Sequence, residues 1–247
     1  MVLKRVGGTD VLKEKMKTWR HVFKLDPNRP LSDRVLENVC TSGTDAVIVG
    51  GTDGITYENS RNLIERVMDY PVMCVQEISR EETVVIGVDG YLVPVVLNAG
   101  SLRWVLGSQH RAVKKYGDWI PWEAVIALGY IVMNPESKVA KLTESQTQLS
   151  DADVKAYARL AERIFGMPTV YVEYSGAFGD EETLRAASSG VNQSRLIYGG
   201  GITRKEEAQA MARWADTVVV GNLVYQNPDM AVKTVNWVKE VLKEKHP

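Results

Sequence analysis

Eight short runs rich in β-branched and aliphatic residues punctuate the chain, at 21–25, 46–49, 72–76, 91–97, 130–133, 169–173, 195–198 and 217–220. Apolar character within each run is close to continuous, the pattern of parallel strands covered on both faces. Most of the segments between them carry helical periodicity, and strand alternating with helix closes into a barrel. The expected fold class is α/β, a modified (β/α)8 TIM barrel, and 247 residues suit a single domain spanning 1–247.

Helix caps locate several of the crossovers. Ser32 opens one helix toward Cys40, Asp151 another toward Phe165, Asp180 another toward Ser188, and Asp229 begins the last. Other helical stretches lie near 58–68, 101–116 and 204–214. One interval breaks the pattern. Residues 77–89 are few, and Thr83-Val84-Val85-Ile86 is more extended than helical, so the third helix is expected to be missing or reduced. Such a gap exposes one side of the barrel. Residues 134–150 form a longer polar connection with two open readings, a mobile loop at the catalytic rim or a solvated loop without a role. In the N-terminal extension, residues 1–18, Lys4, Arg5, Lys13, Lys15 and Lys17 face Asp10 and Glu14. A packing helix is the favoured reading there over a basic helix that touches lipid.

Near the C-terminus, Leu196-Ile197 runs into Tyr198-Gly199-Gly200-Gly201, and Val218-Val219-Val220 runs into Gly221-Asn222. Barrels of this class often hold a phosphate between the loops after strands 7 and 8, where glycines let backbone N–H groups approach the anion. Lys and Arg number 30 against 31 Asp and Glu. That balance argues against a nucleic-acid surface, so any phosphate binding is local. Cys40 and Cys74 are the only cysteines and no secretory signal is evident, which points to a reducing cytoplasm. The longest apolar runs fall short of the roughly 18 to 20 residues that span a bilayer.

The ends of the strands carry the candidate chemistry. The first reads His21-Val22-Phe23-Lys24-Leu25-Asp26-Pro27, placing a cation and a carboxylate together at the mouth, either as a structural ion pair or as working groups. The second runs through Gly50-Gly51 to Thr52-Asp53. Asp26 and Thr52 are hard oxygen donors of the kind Mg²⁺ takes, although an ordinary glycine turn explains the same spacing; Asp53 equally suits a helix cap. The sixth reads Tyr171-Val172-Glu173-Tyr174-Ser175-Gly176. Burial would raise Glu173 toward the working pH, as a general base requires; a buried Glu bonded to tyrosine hydroxyls is the competing reading. No His-metal cluster, Cys-x-x-Cys pair or nucleophile elbow is present. His21, His110 and His246 are scattered, and Asp26 beside Lys24 opposes Schiff-base chemistry. Trp104, Tyr116, Trp119 and Trp122 gather around the fourth helix, as core or subunit contact or as the lining of a groove for a long apolar ligand.

Taken together, the motifs at 21–27, 43–56, 171–176, 198–202 and 219–222 resemble the bacterial heptaprenylglyceryl phosphate synthases, the PcrB-type branch of the geranylgeranylglyceryl phosphate synthase family. The resemblance runs from about Trp19 to the C-terminal helix and leaves out residues 1–18. It implies a barrel without its third helix. It also implies Mg²⁺-dependent transfer of a prenyl group from a long-chain diphosphate to the 3-hydroxyl of sn-glycerol 1-phosphate, with Glu173 as the catalytic base. By the same resemblance Lys24, Tyr171, Val172, Glu173, Tyr174, Ser175, Gly176, Gly201, Gly221 and Asn222 would bind glycerol phosphate, while Asp26 and Thr52 would serve the metal. Tyr116 would set the chain length at seven isoprenes. A homodimer in the cytoplasm with transient membrane contact is the implied setting. No Asp-Asp-x-x-Asp motif of a chain elongase is present. The alternatives are a phosphosugar lyase or isomerase barrel and a non-catalytic phosphate-binding accessory barrel.

Overall fold

All eight apolar runs are strands in the computed structural model, which describes residues 9–244; Lys4, Arg5 and His246 lie outside the described residues. They are β1 (His21–Leu25), β2 (Ala46–Val49), β3 (Met73–Glu77), β4 (Gly90–Val96), β5 (Val125–Val132), β6 (Thr169–Glu173), β7 (Arg195–Gly199) and β8 (Thr217–Val220). Each pairs in parallel with its sequence neighbours, and β8 returns to β1 to close the barrel. β5 starts five residues before the expected run at 130–133, because Val125 to Gly129 pair with β4 from Tyr91 to Val95.

Alternation along the strands divides the apolar residues into two layers. Val22, Ile48, Val75, Leu92, Leu128, Ile197 and Val219 fill the barrel interior, while Phe23, Val47, Cys74, Val172 and Tyr198 pack outward against the helices. A first helix, α1 (Thr9–Met16), presents Leu12 and Met16 to the interior cluster, where Trp19 joins them. A packing role for this helix is therefore the one the structure shows. His21, fully buried, bridges Thr44 and Thr234 at 3.0 and 2.9 Å. Burial pushes it down to about 3, so it stays neutral.

The crossovers are α2 (Asp33–Cys40), α3 (Tyr57–Met68), α4 (Ser108–Tyr116), a short α5 (Lys138–Thr143), α6 (Asp151–Arg159), α7 (Glu181–Ser188), α8 (Lys205–Trp214), α9 (Asn222–Gln226) and α10 (Pro228–Lys239). Ser32 and Asp180 cap α2 and α7 as expected. Two starts lie earlier than expected. Ser150 caps α6 through a reciprocal pair with Asp153, and Asn227 caps α10 with Pro228 in its first turn, so Asp151 and Asp229 are helical residues. The helix expected over 101–116 is split, a wide π-type turn at Arg103–Gly107 preceding α4.

Between β3 and β4 stands only a 3₁₀ turn, Glu81–Thr83. The third helix is missing, as expected. Gln76 does part of its work: its amide donates to the Thr83 carbonyl at 2.7 Å and accepts from the Val85 N–H at 2.9 Å. Both partners are buried, so these bonds satisfy backbone groups that a helix would otherwise pair. The connection over 134–150 is not a bare loop, since it contains α5 and is tied to Asn98 through Gln146. Asp53 does not cap α3, a role taken by Thr56; it pairs instead with Lys138 of α5 at 3.0 Å.

Candidate active site

Because side chains alternate, each strand whose last inward-facing position is polar delivers a group to the barrel mouth. Lys24 of β1, Glu77 of β3, Tyr130 of β5 and Glu173 of β6 meet there. Lys24 Nζ lies 2.7 Å from Glu77 Oε1 and 3.4 Å from the Tyr130 hydroxyl, and the Tyr130 hydroxyl donates to the other oxygen of Glu77. The ring of Tyr130 stacks on that of Tyr171, centroids 4.5 Å apart, and Lys24 Nζ sits 5.9 Å from both. Burial lowers a lysine, yet Glu77 and then Glu173 outweigh it and hold Lys24 above its ordinary value. The ammonium form is thereby favoured, which counts against the Schiff-base reading.

Lys24 and Asp26 do not form the ion pair that their spacing suggests. Asp26 lies past the end of the strand, where its Oδ1 accepts the Asn28 N–H at 2.9 Å and faces Gly51 closely enough that a Cβ there would come within 2.8 Å. Tyr225 donates to the Asp26 carbonyl at 3.2 Å from the other side. Thr52 follows Gly51 directly, so a carboxylate and a hydroxyl share the rim above β1 and β2.

Glu173 is 5% exposed. Burial pushes it up to about 7, with Lys24 and then the Ser175 amide, at 2.6 Å, opposing the rise and Glu77 adding to it. Tyr130 and Tyr171 stay protonated, because burial first and the two carboxylates next raise both phenols well above their usual range. Val172 and Tyr174 turn away from the mouth. Val172 packs with the outer layer, and the Tyr174 ring lies against Gly179, so neither offers its side chain to a ligand at the mouth. Ser175 and Gly176 stand at the rim.

Gly176, Gly200, Gly201, Thr203, Gly221 and Asn222 line one pocket, bringing together the glycines after β6, β7 and β8. The three glycines after Tyr198 serve different ends. A Cβ on Gly199 would strike the Tyr171 hydroxyl at 2.1 Å and one on Gly200 the Tyr198 hydroxyl at 2.1 Å, whereas Gly201 abuts only the Ala177–Phe178 backbone. Asn222 accepts a hydrogen bond from Arg29 at 2.9 Å, and the Arg29 guanidinium lies 3.7 Å from the Tyr225 ring. Tyr116 is placed far from this pocket. It ends α4, which buries none of its residues and stands across from the missing helix, with Lys115 Nζ 4.7 Å from the Tyr116 ring and 3.9 Å from Glu81. Trp119 and Trp122 are exposed, at 79% and 52%, so they are not core.

The PcrB family model matches residues 14–239. The chain belongs to the PcrB family. A heptaprenylglyceryl phosphate synthase of Geobacillus kaustophilus is 48% identical over 233 residues, 94% of this chain and 98% of that protein. The protein of the same name in Anoxybacillus flavithermus is 50% identical over 222 residues, 90% of this chain and 96% of that one. Among solved structures, the (S)-3-O-geranylgeranylglyceryl phosphate synthase of Thermoplasma acidophilum, in complex with sn-glycerol-1-phosphate, superposes with a TM-score of 0.81 at 24% identity, covering 98% of this chain and 100% of that one. That likeness shows the shared barrel.

Three residues of this PcrB-family site escape a reading of the sequence. Glu77 is the last residue of β3, as Glu173 is of β6, and extending the third run by one residue would have exposed that symmetry. Tyr130 is found only once β5 is in register, since it lies opposite Tyr171. Arg29 sits in a loop with no local signal; its partner Asn222 is 193 residues away.

Proposed function

We propose that this PcrB-family chain joins a long prenyl group, heptaprenyl by preference, to the 3-hydroxyl of sn-glycerol 1-phosphate, forming an ether and releasing diphosphate. The names of its relatives support the reaction, and one observation carries the mechanism. A buried carboxylate raised to about 7 ends β6, and a glycine-lined pocket sits past the ends of β6, β7 and β8. The pocket would hold the acceptor's phosphate on backbone N–H groups, with Arg29 nearby, and that anchoring sets the reach of the glycerol toward Glu173.

In the step itself the acceptor hydroxyl oxygen bonds to C1 of the prenyl chain. The bond from C1 to the diphosphate oxygen breaks, its electron pair leaves with diphosphate, and the hydroxyl proton passes to Glu173. A base titrating near the working pH suits that task. Lys24 Nζ lies 5.9 Å from the centroids of both stacked rings, Tyr130 and Tyr171, and Lys24 would meet the negative charge of the glycerol phosphate. Asp26 and Thr52 fit a magnesium ion that takes its remaining oxygens from diphosphate and water: both are hard donors, and the Gly51 turn leaves Asp26 room that any side chain there would fill. Bound there, Mg²⁺ would screen the charge of the leaving group.

The donor's chain would leave the mouth through the gap between the Glu81–Thr83 turn and α4, toward Tyr116. Exposed Trp119 and Trp122 support a homodimer contact, and Arg111, Lys114 and Lys115 on α4 support passing contact with a membrane surface. Among the described residues no helix is long and apolar enough to cross a membrane. Free, buried Cys40 and Cys74 suit the cytoplasm.

Incubation with Mg²⁺, a ladder of prenyl diphosphates and either glycerol 1-phosphate or glycerol 3-phosphate, followed by identification of the ether product, tests the reading. Transfer favouring long chains and glycerol 1-phosphate is expected, with Glu173→Gln losing at least about a hundredfold in kcat while acceptor binding persists. No ether on any chain length, or an unimpaired Glu173→Gln, would overturn it.

A further inference from the structure

Glu77 has no place in the mechanism above, yet both of its carboxylate oxygens are engaged at the mouth. It is 7% exposed, its Oε1 holds Lys24 Nζ at 2.7 Å, and its Oε2 takes the Tyr130 hydroxyl. The backbone makes room for it: a Cβ on Gly50 would meet the Glu77 Cβ at 2.8 Å, so only glycine fits at the end of β2 beside this side chain. Lys24 thus has two carboxylates within electrostatic reach besides Asp26, Glu77 on the β3 side and Glu173 on the β6 side, and it bonds the former.

The groups facing Glu173 are few. Lys24 approaches from β1, Glu77 acts from β3 and Tyr130 from β5, Tyr198 of β7 is felt only electrostatically from the outer layer, and Tyr171 and the Ser175 N–H belong to its own strand and rim. Only Lys24 among these is a cation. Were its ammonium to bond Glu173 directly, that carboxylate would be held as a low-pKa salt-bridge partner and would be a poor proton acceptor. We propose that Glu77 is a positioning residue for prenyl transfer: with Tyr130 it tethers the Lys24 ammonium on the β3 side of the mouth, leaving the Glu173 carboxylate free to receive the acceptor's proton. The proposal rests on Glu173 being the base, and it assigns Glu77 no contact with substrate.

Glu77→Gln keeps the shape and removes the charge. Two consequences then act on Glu173 in one direction, since a like charge is lost and Lys24 is released toward it; both lower its pKa. The direct readout is carboxyl ¹³C NMR of glutamate-labelled protein, with the Glu173 signal identified by its loss in Glu173→Gln. In the wild type its midpoint is expected at about 7, and in Glu77→Gln it should fall by about one unit or more. The acid limb of the kcat/KM profile should move down with it, and kcat at pH 8 should drop about tenfold as the weaker base is engaged by Lys24. Glu77→Asp retains the charge while drawing it back by one methylene, so it should shift the midpoint less and recover much of the rate. It also serves if the glutamine variant does not fold. A midpoint that stays put in either folded variant would overturn the proposal, as would a crystal structure of the wild type with Lys24 Nζ on Glu173. If the midpoint falls while the kinetic limb does not, the tether stands and the role of Glu173 as base fails instead.

Discussion

Glu173 is raised by burial from 4.5 to about 7, so between those values the folded chain keeps a proton that the unfolded chain releases. Its stabilising contribution is complete below pH 4.5 and is lost as pH rises through 7. Glu173→Gln, which retains an acceptor for the Ser175 N–H, should therefore raise Tm by about 5–10 °C at pH 8, from roughly 3 kcal/mol, and by nothing at pH 4. Calorimetry at the two pH values decides this, and an unchanged Tm at pH 8 would mean that the carboxylate is solvated. The residue that activity needs most thus costs stability at the pH where it works. Arg29 offers the opposite case. Its guanidinium is held by Asn222 and the Tyr225 ring at the edge of the glycine pocket, so Arg29→Ala should leave the fold intact and raise the KM for glycerol phosphate about five- to tenfold, with kcat little changed. Equal losses in kcat and kcat/KM would place Arg29 in the transition state instead.

The elements that carry the site are held by contacts of very different visibility. The β7 terminus depends on Gly199, against which the Tyr171 hydroxyl is packed; Gly199→Ala should lower stability by about 2 kcal/mol or more through overpacking. Gly221→Ala meets nothing nearer than the Lys24 carbonyl at 3.3 Å, so its cost should fall on acceptor binding. Urea unfolding together with acceptor titration separates the two, and the idea fails if both variants lose stability equally. Repeated apolar runs made the strands legible, because a parallel barrel buries both faces of each strand and leaves little room for alternation. The missing helix was legible for a related reason, since Thr83 to Ile86 lack helical character. The Glu77–Lys24 tether was not legible, because it joins β1 to β3 across β2 and exists only once those three strands are paired in register. Nor was the outward turn of Val172 and Tyr174, which follows from strand parity counted from Tyr171 and not from residue type. Helix starts slipped by one or two residues where a capping Ser or Asn preceded an equally plausible Asp.

For the molecule as a whole, two buried groups in different places set opposing pH slopes. His21, at the start of β1, is pushed by burial from 6.5 to about 3, so the unfolded chain takes up a proton that the folded chain refuses as pH falls through that interval. Stability is then lost on acidification at up to about 1.4 kcal/mol per pH unit. Glu173 does the reverse between 7 and 4.5, gaining stability on acidification at a comparable rate. Their windows overlap from pH 4.5 to 6.5, where the slopes cancel. Below 4.5 His21 acts unopposed, joined by Glu162, whose carboxylate is held down chiefly by the backbone N–H groups of Ser194, Asn192 and Gln193 against its own burial. Urea unfolding at half-unit intervals should accordingly show a nearly flat wild-type stability from pH 4.5 to 6.5 and a steep fall below it. Glu173→Gln removes one of the two slopes, so its stability should climb through that same window by about 1.4 kcal/mol per unit, converging with the wild type near pH 4 and exceeding it above 7. Parallel curves for the two proteins across the window would show that the charge of Glu173 is not coupled to folding, and with it would go the case for a base held near neutrality by burial.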